Sequence, residues 1–509
     1  MVRRLRRRVP VRLRQNWKVV AAGCAFLLIV VAVFGNVRVR PVVTSDSRSD
    51  TEVVTQDIAG TVDIFDSSTA HEITVSYSED DYQRMLDEYF STGEKGFIEA
   101  SVVIDGTPIA GVGLRLKGNS TLASLVGPDG ERAPNSLGGG GFRGGGPPDG
   151  AAQPEQGDAR GGPGGGGLGG ALSVDEPESL PWLVSFDAFV EGQRYRGLSE
   201  LAVRPAGQAG TTSLNEAVSL TLAAQSGEPS QRLGYTAFTI NDRPTAARLV
   251  VEHPDQAYAE RLPGDGVLYK ARAGGQFADQ GEDPTEYEDD FKQVNQTGSQ
   301  DLQPVIDLIR WVETASDEQF AAGLADRVDV ESFARYVALH DLLQNFDDMS
   351  GPGTNYYLYY NQDTGRFSVL TWDLNLALNG GGFGGRQGGF QPPDGAELPE
   401  GFQPPEGAEL PEGFQPPGDG EVPGGGQGPG GGFGQGNALK SRFLETPEFS
   451  QLVEQATDEL RAQLYGSGAA QAALEQASAA ALAAGADQAA VDSEAAAVRT
   501  IIETQTQGG

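Results

Sequence analysis

The chain has 509 residues and a formal net charge of −34, with 71 glycines, 30 prolines, three histidines and one cysteine. Gly and Pro supply about a fifth of it, against roughly 12% in ordinary globular proteins, so the folding part is shorter than the chain. The acidic balance argues against a nucleic-acid partner, and Cys24 with His71, His253 and His340 is too little for a disulfide framework or a Cys- or His-rich metal centre.

Eleven of the 37 basic residues lie in the first 48 positions, where Asp46 is the sole acid. Residues 1–18 read as a basic cytoplasmic segment. Residues 19–37 form an uncharged apolar run of 19, which as a helix spans roughly 28 Å, close to bilayer thickness. The run ends without a good small-x-small cleavage site. It is therefore expected to be an uncleaved transmembrane helix that keeps the N-terminus in the cytoplasm and exports the rest. Residues 38–60 then read as a stalk, 61–465 as the main domain, and 466–509 as an Ala-rich helical region.

Two Gly/Pro-rich stretches, 127–176 and 379–436, interrupt the main domain. The second carries a 12-residue repeat starting at Phe390, Phe402 and Phe414. Neither has the apolar content to offset chain entropy, so both are expected to be disordered insertions at loop ends.

Before the first insertion, 112–117 alternates strictly. Val112, Leu114 and Leu116 share one strand face, and Arg115 and Lys117 the other. Two cations so spaced, followed by Gly118-Asn119-Ser120-Thr121, suit a polyanion such as a triphosphate; a solvated strand face is the other reading. The chain has only six lysines against 31 arginines, so Lys117, Lys270 and Lys292 hint at a need for a compact ammonium. Residues 211–224 predict a helix with a Thr/Ser N-cap and Glu216 in its first turns. Strands are predicted over 233–240 and 246–252, the second ending at Glu252; a short helix-like stretch and then Gly266-Val267-Leu268-Tyr269-Lys270 follow.

A helix is predicted over 328–345, then Asp347-Asp348, a Gly/Pro loop and Asn355. Residues 356–360 and 366–371 predict a hairpin around Gln362-Asp363-Thr364-Gly365. A hairpin centred on Thr364 sets Asn355 directly opposite Asp373, with Asp347 before the same open end. Oxygen-only ligands of this kind suit Mg²⁺ or Mn²⁺, and one of the acids could instead take a proton from a hydroxyl. The same residues could also merely cap and turn a loop.

GLRLKGNST (113–121), SLNEAVSL (213–220), ARLVVEHPDQAY (247–258), GVLYKA (266–271), NFDDMSGPGTNYYLYY (345–360) and LTWDLN (370–375) resemble, in order, the motifs of the CotH, or spore coat protein H, kinase-like family. The resemblance implies an α+β fold, an atypical protein-kinase-like two-lobed domain that binds ATP and a divalent metal. It implies Asp347 as catalytic base, Asn355 and Asp373 as metal ligands, and Arg115 and Lys117 at the phosphates. It further implies Glu252 and Lys270 lining the nucleotide cleft, and Glu216 paired with Lys117. The extra Gly-Pro-Gly before Asn355 leaves Asp348 as the alternative base, and Asn375 stands where the family often has an acid. The function expected is transfer of the ATP γ-phosphoryl group to a Ser/Thr hydroxyl of an extracytoplasmic protein. A catalytically silent surface protein on the same scaffold is the alternative.

Overall fold

The computed structural model describes residues 54–118, 121–127, 133–134, 172–205, 212–379 and 436–508. The basic segment, the apolar run 19–37 and most of both insertions lie outside them. Among the described residues no helix is long and apolar enough to cross a membrane.

The strands and helices run in chain order as β1 (Gln56–Ile58), β2 (His71–Tyr77), α1 (Glu79–Thr92), β3 (Ile98–Ile104), β4 (Thr107–Leu116), β5 (Trp182–Ser185), β6 (Gln193–Tyr195), β7 (Glu200–Val203), α2 (Leu214–Gln225), β8 (Leu233–Ile240), β9 (Ala246–Glu252), α3 (Gln256–Ala259), β10 (Gly266–Ala271) and β11 (Phe291–Gln293). They continue as α4 (Gln303–Thr314), α5 (Asp317–Gly323), α6 (Val330–Leu342), β12 (Tyr356–Asn361), β13 (Arg366–Thr371), α7 (Ala438–Glu445), α8 (Pro447–Leu460), α9 (Ala469–Ala483) and α10 (Gln488–Gln507). The chain is therefore of the α+β class, as the family resemblance implies.

Seven strands close a barrel in the order β2-β3-β4-β5-β7-β9-β8. The parallel β2–β8 pair completes the ring, and its other neighbours are antiparallel. The β3–β4 hairpin turns at Asp105-Gly106, both at positive φ (48° and 79°), the backbone that a two-residue turn between twisted strands requires. Strict alternation fills the interior: Val112, Leu114 and Leu116 of β4 are buried with Ile73, Val102, Trp182, Leu201 and Phe238. Helix α1 closes one side with Tyr82, Met85, Leu86 and Tyr89.

The second sheet is antiparallel, ordered β11-β10-β12-β13. One face, with Val267, Tyr269, Tyr356, Leu358 and Val369, joins the core of helices α2, α4 and α6 to α10. The other carries Leu268, Tyr357, Leu370 and Trp372. Period-two alternation thus sends Lys270 to the Trp372 side.

Three boundaries differ from expectation. Strand β1 pairs in parallel with β6, so the stalk ends before Gln56 rather than at residue 60. Leu172 and Val174 are buried in the barrel core and Ser173 bridges Val126, so the first insertion is shorter than 127–176. Tyr82 fixes this return, its hydroxyl donating to the Val174 carbonyl at 2.8 Å. Within the Ala-rich C-terminal region residues 469–483 and 488–507 are helical, and Ala470, Leu474, Ala481, Val491, Val498 and Ile502 belong to the same core as α6, so no domain ends at residue 465. Leu474→Ala is accordingly expected to cost about 2–5 kcal/mol and to lower the single unfolding transition of the whole unit; calorimetry checks this, and a separate early transition would count against a shared core.

Candidate functional site

Three chain segments meet where β7 ends, where α2 begins and where β13 runs out. Arg204 directly follows β7, and its Nη2 donates both to Glu216 of α2 and, at 3.3 Å, to Oδ1 of Asp373. Glu216 is 2% exposed. The predicted Glu216–Lys117 pair is therefore replaced by Glu216–Arg204. A guanidinium has several donors in one plane and can serve two carboxylates, which a point-like ammonium does less well.

Asp373 itself sits at φ 54°, ψ 66°, a left-handed conformation uncommon for a residue other than glycine. The hairpin register explains why. Asn361 pairs with Arg366 and Tyr356 with Thr371, leaving a four-residue loop whose centre lies between Asp363 and Thr364. The symmetric count about Thr364 is off by one. Asn355 faces Trp372, one step beyond the ladder, and Asp373 turns out of the strand after it. Trp372 is 5% exposed and lies among the cations of the site. The Nζ atoms of Lys117 and Lys270 stand 5.0 and 4.6 Å from its ring centroid. The His253 ring packs edge-on at 5.6 Å and Tyr357 at 5.4 Å.

Neither ammonium has a carboxylate or carbonyl within bonding distance among the described residues. Burial, with Arg204 and Lys270 nearby, pushes the Lys117 ammonium down to about 7. Burial pushes Lys270 down to about 8, Lys292 and Arg115 adding to it and Asp373 opposing. Lys95, whose Nζ donates to the Gly118 carbonyl at 2.8 Å, is lowered to about 8 by burial and by Arg115. The His253 imidazole is held well below its ordinary range by burial and the same cations, and is neutral. Its Nδ1 is buried without a hydrogen-bond partner, and its Nε2 lies 3.4 Å from Glu200. Arg115 stacks over Phe97 at 5.1 Å and faces Glu200.

The two candidate bases are now distinct. Asp348 is 3% exposed and forms an ion pair with Lys440 of α7. Asp347 accepts the Gly353 amide at 2.5 Å and the Asn355 side-chain amide at 2.9 Å. Burial pushes its carboxyl above the usual range, and the neighbouring Asp373 and Asp348 carboxylates push the same way against these hydrogen bonds. The Gly-Pro-Gly loop wraps tightly here: a Cβ on Gly351 would fall 2.4 Å from the Asp347 Cα. Asp348 is thus committed to Lys440, whereas Asp347 has only hydrogen-bond donors from Gly353 and Asn355 and feels the Asp373 charge.

Glu252 departs from the expected role. Its two oxygens are taken by Arg232 at 2.8 Å, by the Arg232 amide at 3.2 Å and by Arg261. At 2% exposed, it holds β8, β9 and the turn after α3 together. Sequence reasoning missed Arg204, Trp372, His253 and Lys440. His253 and Trp372 stand within the family motifs, and Arg204 closes a strand that is apolar after Glu200.

Among the described residues no three His, Cys, Asp or Glu side chains cluster to hold a metal. A cation here would rest on Asp373 and the Asn355 side-chain oxygen, completed by ligand oxygens and water. The cationic rim formed by Lys117, Lys270 and Arg115 suits a polyanion.

The sequence profile of the CotH kinase protein family matches residues 170–481, more than half of the chain. Inner spore coat protein H of Bacillus subtilis (strain 168) is 25% identical over 193 residues, which cover 37% of this chain and 52% of that relative. The chain thus spans about half the length of this curated relative. The matched stretch contains Glu216, Lys270, Asp347, Asn355 and Asp373, whereas Arg115 and Lys117 precede it.

Lys117→Met is expected to raise the melting temperature by several degrees near pH 7. The unfolded chain keeps the Lys117 proton to about pH 10, while the folded chain releases it near 7. The unfolded state binds more protons across this window, so the cost of Lys117 to folding fades as pH rises. The gain from the substitution should shrink toward pH 10, and melting curves across that range check the sign. Glu252→Ala is expected to cost about 1–3 kcal/mol, since the two arginines it leaves are each a third or more exposed and regain water while the Arg232 amide loses its acceptor, and thermal unfolding checks this.

Proposed function

We propose that this chain, which belongs to the CotH kinase protein family, is an ATP-dependent kinase that transfers a phosphoryl group to a protein hydroxyl outside the cytoplasm. The observation that carries the reading is the pair of largely buried, unneutralised ammonium groups on Trp372 beside the Asp373 carboxylate. Such an arrangement is costly to folding unless an anion completes it.

Lys117, Lys270 and Arg115 bind and orient the phosphates. Asp373 and Asn355 hold Mg²⁺ or Mn²⁺, which when bound neutralises phosphate charge. Arg204 fixes Asp373 against Glu216. Asp347, raised by burial, accepts the proton of the incoming Ser or Thr hydroxyl. The barrel and the helical core are read as the two lobes of an atypical kinase domain, with the site between β7, α2 and the β12–β13 hairpin. Residues 19–37 anchor the protein in the cell membrane, and a cysteine-free exported part is in keeping with an extracytoplasmic place.

A silent scaffold is the second reading, favoured by one observation: the Arg204 guanidinium already sits on the metal-binding acid at 3.3 Å. Titration with ATP and Mn²⁺, followed by calorimetry and by transfer of labelled phosphate, separates the two. Asp373→Asn should abolish metal-dependent nucleotide binding. Asp347→Asn should leave binding within a few-fold and lower transfer by roughly 10²–10⁴. No binding by the unaltered protein would support the silent scaffold, and equal effects of both substitutions on binding would overturn the division of roles.

A further inference from the structure

Helix α2, which presents Glu216 to Arg204, has no cap of its own. Ser213, at its N-cap position, is left-handed at φ 58°, ψ 33°, and its side chain makes no capping bond. The exposed amides of that first turn would normally need a local Ser, Thr, Asp or Asn acceptor. Here the acceptor comes from 280 residues away. Glu494 of α10 accepts the Thr212 amide with one oxygen. Its other oxygen accepts the Thr212 hydroxyl at 3.0 Å and the Leu214 amide at 3.2 Å. A carboxylate at this end also opposes the positive pole of the helix.

The same turn is tied on its other side to the Asp373 segment. The Asn215 side-chain amide donates to the Asn375 carbonyl at 2.7 Å and to the Ala377 carbonyl at 2.9 Å. Tyr235 donates its hydroxyl to the Thr212 carbonyl at 2.8 Å. Residues 212–216 therefore link Glu494, the backbone after Asp373 and the Arg204 pair within two turns of helix. Helix α10 is fixed in turn by a stripe of Val491, Ala495, Val498 and Ile502 buried in the core. It lies beyond the stretch matched by the family profile, which ends at residue 481.

We propose that Glu494 is a positioning residue, supplying from α10 the cap that α2 lacks and so holding Glu216, Arg204 and Asp373 in register for the reaction. The consequence for transfer rests on the kinase reading above; the capping itself does not. Loss of the cap lets the first turn of α2 fray, which relaxes the hold on Arg204 and leaves Asp373 without a fixed neighbour.

The test uses the full chain with Glu494→Ala, Glu494→Gln, Glu494→Asp and, as a control on the same helix, the exposed Glu503→Gln. Hydrogen exchange reads the cap without any activity. In Glu494→Ala the amides of 214–217 and 374–377 should exchange roughly tenfold faster, with amides of the barrel unchanged. Glu494→Asp should restore part of the protection, and Glu503→Gln should alter nothing. In the transfer assay Glu494→Ala should lower kcat roughly tenfold while KM for ATP moves less than threefold. Unchanged exchange at 214–217 would overturn the proposal. Faster exchange with an unaltered kcat per folded molecule would reduce Glu494 to a stability role and overturn the positioning claim. Faster exchange in a protein whose unaltered form shows no transfer would support the cap and remove the kinase reading instead.

Discussion

The Arg204 guanidinium is the constraint on which the site depends. It lies between Glu216, which is buried, and Asp373, and it belongs to none of the elements that carry them. A charge withdrawn from water in this way is tolerable only with its partners in place, because an unpaired buried ion costs several kcal/mol. The barrel strand, the following helix and the end of the hairpin must therefore arrive together. At their meeting point Asp373 stands in its left-handed turn against Arg204, with Trp372 beneath the cations.

The electrostatics around Trp372 run against folding. Of the lysines beyond the basic N-terminal segment, Lys95, Lys117, Lys270 and Lys292 influence one another's ionisation or that of shared neighbours, and Lys440 pairs with Asp348 beside Asp347. In a chain that otherwise uses arginine, this concentration of ammonium groups has a chemical reason. An ammonium is compact and its pKa is readily shifted, so burial can hold it partly discharged. The ring faces of Trp372 and Tyr357 supply a modest attraction to Lys117 and Lys270.

The C-terminal helices support the site from behind. Glu494 caps the helix that bears Glu216. The π-helical turn Arg461–Gly466 places Tyr465 so that its hydroxyl donates to the Leu342 carbonyl at 2.9 Å, at the end of α6 and five residues before Asp347. Both ends of the acidic site are thereby braced by residues that follow the second Gly/Pro-rich stretch. The long insertion interrupts the chain between Leu378 and Asn437, each of which is buried, and so leaves the packing on either side intact.

The sequence by itself determined many of the elements and the family. Alternation at 112–117, the strands over 233–240 and 246–252 and the hairpin of 356–361 with 366–371 follow from period-two burial, which is a local property. The family motifs carried Lys117, Lys270, Asp347, Asn355 and Asp373 to one neighbourhood. Tertiary structure alone decided the partners. That Glu216 meets Arg204 rather than Lys117, that Glu252 is enclosed by Arg232 and Arg261, and that Asp348 belongs to Lys440 depend on contacts between residues up to 92 positions apart. Pairing of that kind leaves no periodic trace, because each contact fixes a single side chain. The hairpin register shows the limit most clearly. One residue in the loop count moves Asp373 from the strand into a left-handed turn, and loop geometry is set by Asn361, whose side chain accepts the amides of Asp363 and Thr364 at 3.0 Å.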